Sequence, residues 1–70
     1  MTVEVFQTNV QNNKTAKFII NLLQNEFPHC KINFDLEDCD KILRIEGNGF
    51  NKKSIENHLD NLGFLCLELL

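Results

Sequence analysis

The spacing of apolar positions along the chain alternates between every second residue and every third or fourth, and each switch marks a new element. Thr2 to Gln7 is β-branched or aromatic at Val3, Val5 and Phe6, which predicts a first strand, β1. Ala16, Ile19, Ile20, Leu23 and Phe27 then recur at helical spacing and predict a helix, α1, with one buried stripe. Asn12 or Asn13 is its predicted cap, and Pro28 ends it, because the residue before a proline is driven out of the helical region. Lys31 to Glu37 alternates cleanly, with Ile32, Phe34 and Leu36 against Lys31, Asn33, Asp35 and Glu37. This predicts a strand, β2, with one buried and one wet face. After a turn at Asp38-Cys39-Asp40, Lys41 to Glu46 returns as β3 with Leu43 and Ile45 inward. Gly47-Asn48-Gly49 reads as a loop. Asn51 is placed to cap a second helix, α2, with Ile55, Leu59 and Leu62 on its inner face. Gly63 supplies a left-handed C-terminal residue, and Phe64 to Leu69 closes the chain as β4.

The order βαββαβ predicts an α+β fold of the ferredoxin-like kind: a four-stranded antiparallel sheet with both helices on one face. Right-handed crossovers give the spatial order β2-β3-β1-β4. That topology gathers the β1–α1 turn, the Glu37–Asp40 hairpin and the Leu62–Phe64 turn at one end of the sheet. The Phe27–Cys30 turn and the Gly47–Gly49 loop fall at the other. Residues 1–70 are expected to form one domain, without repeats or linkers.

Composition narrows the function classes. Hydrophobic residues are 43 % and charged residues 24 %, ordinary globular values. No apolar run approaches the roughly 20 residues of a membrane span, and no signal segment is visible, so the expected location is cytoplasmic, away from membranes. A net charge of −3 disfavours nucleic acid, which calls for a face rich in lysine and arginine. Cys30, Cys39 and Cys66 are odd in number and irregularly spaced, which argues against a disulfide framework. Cys30 and Cys39 belong to opposite ends of the sheet and Cys66 to an edge strand, so the three thiols are not expected to share a metal. No Ser/His/Asp or Cys/His grouping is placed for nucleophilic catalysis, and no glycine-rich phosphate turn is present. An enzyme is therefore not expected, and neither is a cofactor.

The chain resembles the heavy-metal-associated domain family, the copper chaperones and the N-terminal domains of copper-transporting ATPases. The likeness spans nearly the whole sequence. It is carried by Val3-Glu4-Val5-Phe6, the Ala16/Ile20/Leu23 stripe, the Lys31–Asp38 strand and hairpin, the Lys41–Gly47 strand, and the closing Leu62-Gly63-Phe64 turn. The resemblance implies the same βαββαβ fold and a metal loop between β1 and α1. The family's Cys-x-x-Cys is absent, and alignment of the helix stripes sets Asn9 and Asn12 where its cysteines belong. Copper(I) needs soft thiolates, and a helix N-terminus helps to deprotonate them. Neutral amides cannot replace them, so a degenerate metal site is expected. Cys39, at the same end of the sheet, is the remaining metal candidate, alone or with thiols shared across a dimer.

Other candidates are weaker in chemistry. The acidic Asp35–Asp40 hairpin offers oxygen ligands but lacks the glycine and spacing of a calcium loop. His58 borders the inner face of α2 and reads as a surface histidine. RNA-recognition domains share this element order and stack bases on strand aromatics; Phe6 is the one aromatic placed for the open face, opposite Ile42, Arg44 and Glu46, too little for a stacking platform. Partner contact is expected instead from the loop end, at Thr8, Asn9, Val10 and Phe64, or from the open sheet face. The family register turns Cys66 inward and leaves Leu65, Leu67 and Leu69 exposed beside Phe6 and Ile42, whereas alternation with Leu inward reverses this. In the first case self-association through β4 is expected.

Overall fold

A computed structural model describes residues 2–69. Its elements run β1 (Thr2–Thr8), α1 (Asn13–Glu26), β2 (Lys31–Asp35), β3 (Ile42–Gly47), α2 (Lys52–Asn61) and β4 (Cys66–Leu69). The strands form one antiparallel sheet in the order β2-β3-β1-β4, and the fold is the ferredoxin-like βαββαβ plait that the alternation predicts. Differences lie at element ends. β2 stops at Asp35 and β4 starts only at Cys66, because the flanking residues turn into the loops at the shared end of the sheet.

The core lies between the sheet and the helix pair. Phe6, Ile32, Leu43 and Ile45 from the strands meet Ala16, Ile19 and Leu23 of α1 and Ile55 and Leu59 of α2. Each helix starts where the sequence provides a side-chain acceptor. Asn12 Oδ1 accepts from Thr15 N at 2.9 Å, and Asn51 Oδ1 accepts from Lys53 N at 2.8 Å. These bonds satisfy donors that have no partner inside the helix. α2 stops where Gly63 takes φ +88°, and Phe64 N–H returns to Leu59 C=O at 2.9 Å. Leu62, expected on the inner face of α2, is 38 % exposed, since it already belongs to this turn.

Gly47 is required for a different reason. A Cβ at this position would come within 2.8 Å of Cys30 Sγ, so the β3 end and the turn before β2 approach each other through the missing side chain. Cys30 is buried there, Cys39 is exposed, and Cys66 is half-buried.

Phe6 corrects the sequence reading. It is fully buried in the core, not on the open face, because in β1 the row Glu4, Phe6, Thr8 faces the helices and the row Val3, Val5, Gln7 faces away. Strand β4 follows the register implied by the family resemblance: Cys66 packs against the core while Leu65 and Leu67 are exposed. Both strands thus turn their more aliphatic row outward.

Candidate functional site

Two regions carry the residues that the sequence singles out, the loop end and the open sheet face. At the loop end, Thr8 closes β1 by a dense set of bonds. Its N–H reaches Asp40 C=O at 3.1 Å and Lys41 C=O at 3.2 Å. Its hydroxyl donates to Lys41 C=O and accepts from Val10 N–H. The chain then turns inward, and Val10 enters the core with no exposed surface. Thr8 is itself buried. Neither residue presents a side chain to a partner, so both leave the set of expected contacts, as Phe6 does.

Asn9 and Asn12 are brought to the predicted place but do not form a paired site. Asn9 Oδ1 accepts from Leu65 N–H at 2.8 Å, and Asn12 Oδ1 caps α1. Each amide oxygen is committed to a backbone donor on a different element. Phe64 is half-buried and packs against the core, so Asn9 is the one residue of this predicted group that is exposed.

The neighbouring hairpin is better disposed toward a cation. Single ligand atoms of Asp38, Cys39 and Asp40 lie within 4.8 Å of one another. The turn is held by Asp38 Oδ1, which accepts from Asp40 N–H at 2.8 Å, and by Lys41, which adopts φ +51° and donates from Nζ to Leu36 C=O at 3.0 Å. Beside it, a shallow cleft of about 500 Å³ separates the start of α1 from β2, with Asn12 and Asn13 on one wall and Asp35 and Glu37 on the other. The hairpin offers two hard oxygens and one soft sulfur, a mixture suited to zinc better than to calcium or copper(I).

Cys66 and His58 have structural surroundings. The Cys66 thiol is pushed up to about 12, first by burial and then by the charge of Glu56, so it is neither a nucleophile nor a ready ligand near neutrality. The His58 ring stands edge-on to Phe27, with centroids 5.9 Å apart.

The open face divides into two halves. Lys31, Asn33 and Asp35 of β2 and Arg44 and Glu46 of β3 make a polar half. Arg44 and Glu46 are joined by a 3.2 Å ion pair. Val3, Val5, Leu67 and Leu69 make a mainly aliphatic half on β1 and β4, with Gln7 beside Leu67 and Leu65 at its rim; Val3, Leu65 and Leu67 are between 44 % and 50 % exposed. Phe6 is missing from this surface, and Val3 and Val5 take its place. β-branched residues in a strand usually mark the buried row, yet Val3 and Val5 face away from the helices. Their position is fixed by Thr8, whose buried hydroxyl is bonded to Lys41 C=O and Val10 N–H, so that the row Val3, Val5 and Gln7 faces away.

No protein-family model, curated protein or solved structure matches the chain. Among the described residues, no helix is long and apolar enough to cross a membrane.

Proposed function

We propose that the protein is a non-catalytic interaction module on a heavy-metal-associated-like scaffold without the thiolate site, and that its contact surface is the aliphatic half of the open sheet. One observation carries this reading. Leu65, Leu67 and Leu69 lie on the same open face as Val3 and Val5 of the neighbouring strand, an apolar surface that a monomer gains nothing from exposing. The loop end supports the loss of metal delivery, since the oxygens of Asn9 and Asn12 are engaged in holding the fold.

A photo-crosslinking amino acid at position 67 tests this reading inside cells, with position 33 on the polar half as control. Covalent adducts are expected at 67 in clear excess over 33. Equal yields at both positions, or none, would overturn it.

The Asp38-Cys39-Asp40 grouping favours a second reading, a metal-binding protein using this hairpin. Zinc titration followed by calorimetry decides it. Binding of about one ion per chain, lost on Cys39→Ser, supports hairpin ligation, and no heat of binding excludes it.

A further inference from the structure

The two edges of the sheet differ. On β2 the outward row is Lys31, Asn33 and Asp35, and charges of this kind discourage a further strand. On β4 the corresponding row is leucine, and the aliphatic strip begins there. The hydrogen-bonding phase of this edge follows from β1. Thr8 N–H donates to Asp40 and Lys41 C=O, immediately before β3 and on its side of β1, so Thr8 and Phe6 direct their backbone groups toward β3, while Gln7 and Val5 direct theirs to β4. Gln7 and Val5 are paired with Leu67 and Leu69, whose N–H and C=O groups therefore point into the sheet. Those of Cys66 and Glu68 point out of it. Leu65, which shares the phase of Leu67, has its N–H bonded on the β1 side by Asn9, an independent sign of the same phase.

We propose that this edge pairs with β4 of a second copy of the chain, antiparallel about a two-fold axis at Leu67, which joins two four-stranded sheets into one. The inference rests on the interaction-module reading and names its partner. In this register the outward groups of Cys66 meet those of Glu68 in the second copy, and each such pair exchanges both N–H···O=C bonds. Leu67 lies opposite Leu67, and Leu65 opposite Leu69, so leucine meets leucine at every open-face position. On the helix side Glu68 meets a thiol, and its charge is already balanced by Lys52 Nζ at 3.0 Å. Other registers are worse. An axis at Glu68 sets two carboxylates against each other, and an axis at Cys66 sets Glu68 beyond the end of the facing strand. An axis between residues opposes outward groups to inward ones and sends the leucines to the wrong face.

The register makes a geometric prediction. Leu67 and its copy form a non-hydrogen-bonded pair, with Cα atoms about 4.5 Å apart, inside the range of about 4.4–6.8 Å that a disulfide spans. Leu67→Cys is made in a Cys39→Ser background, which removes the exposed native thiol, and is oxidised with diamide. Val3→Cys in the same background is the collision control, since Val3 and Leu67 are 44 % and 50 % exposed. Covalent dimer is expected to form at least about tenfold faster for Leu67→Cys, because a paired thiol sees a raised effective concentration. Sedimentation equilibrium of the unmodified protein should show a concentration-dependent dimer that Leu67→Lys abolishes without changing the circular dichroism. Equal crosslinking rates, or a monomer throughout the accessible concentrations, would overturn the proposal. Photo-adducts at position 67 with other proteins, without covalent self-dimer, sink the second copy and leave the interaction module standing. No adduct of either kind sinks both.

Discussion

Thr8 is where a single side chain decides the most. Its hydroxyl bridges Lys41 C=O and Val10 N–H inside the core, and this bridge lets the chain leave β1 and bury Val10 at once. Thr8→Val keeps the shape but leaves the Val10 N–H buried without a partner, a loss of about 1–3 kcal/mol. A lower urea midpoint with an unchanged slope is the expected readout, and Thr8→Ser should recover most of the loss. Cys66 gives a pH-dependent counterpart. Its thiol titrates near 9.0 by ordinary value and at about 12 in the fold, so the native chain holds a proton that the unfolded chain releases. Stability from this group is intact below pH 9 and falls as pH rises from there toward 12. Urea unfolding between pH 8 and 11 should show a steeper decline for the parent than for Cys66→Ala; parallel declines would contradict the assigned cause.

At the scale of elements, α1 illustrates how far local chemistry reaches. No acidic residue lies in its first turn, so the Asn12 cap is the main local support of that end. Asn12→Ala should cost about 1 kcal/mol, whereas Asn13→Ala should cost far less; thermal midpoints of the two variants check the assignment. The helices, the α2 cap, the β2–β3 hairpin and the strand order are legible in the sequence, because each has a spacing or a turn residue that favours one solution; for the α1 cap the sequence offers Asn12 and Asn13, and Thr15 N–H selects Asn12. β1 and β4 are not. In β1, Val3 and Val5 compete with Phe6 for the inner face, and the winner is set by the bonds of Thr8 to Lys41 in the hairpin before β3. In β4 the leucine row is the more hydrophobic one, yet Cys66 turns inward because its neighbours Phe64 and Leu65 are fixed from outside the strand. The candidate site was readable only as a location. That Asn9 and Asn12 stand at the loop is plain from the sequence; that their oxygens are bound to different elements depends on where β4 docks.

As a whole, a chain of 70 residues keeps a narrow margin of stability, and its sheet is stitched together by pairings far apart in sequence. β4 joins β1 near the two ends of the chain. The bond from Leu65 N–H to Asn9 spans 56 residues, so its formation must wait for a large loss of chain freedom unless the intervening elements have already assembled. That single hydrogen bond therefore has a kinetic meaning. It belongs to the late part of folding, after the helices and the β1–β3 pairing, and to the early part of unfolding. Asn9→Ala is expected to leave the folding rate unchanged and to speed unfolding about fivefold for a loss of about 1 kcal/mol; stopped-flow measurements distinguish this from a slower folding arm. The Asn9 amide thus acts as a latch on the last strand, and the lifetime of the native state is set partly by how long that latch holds.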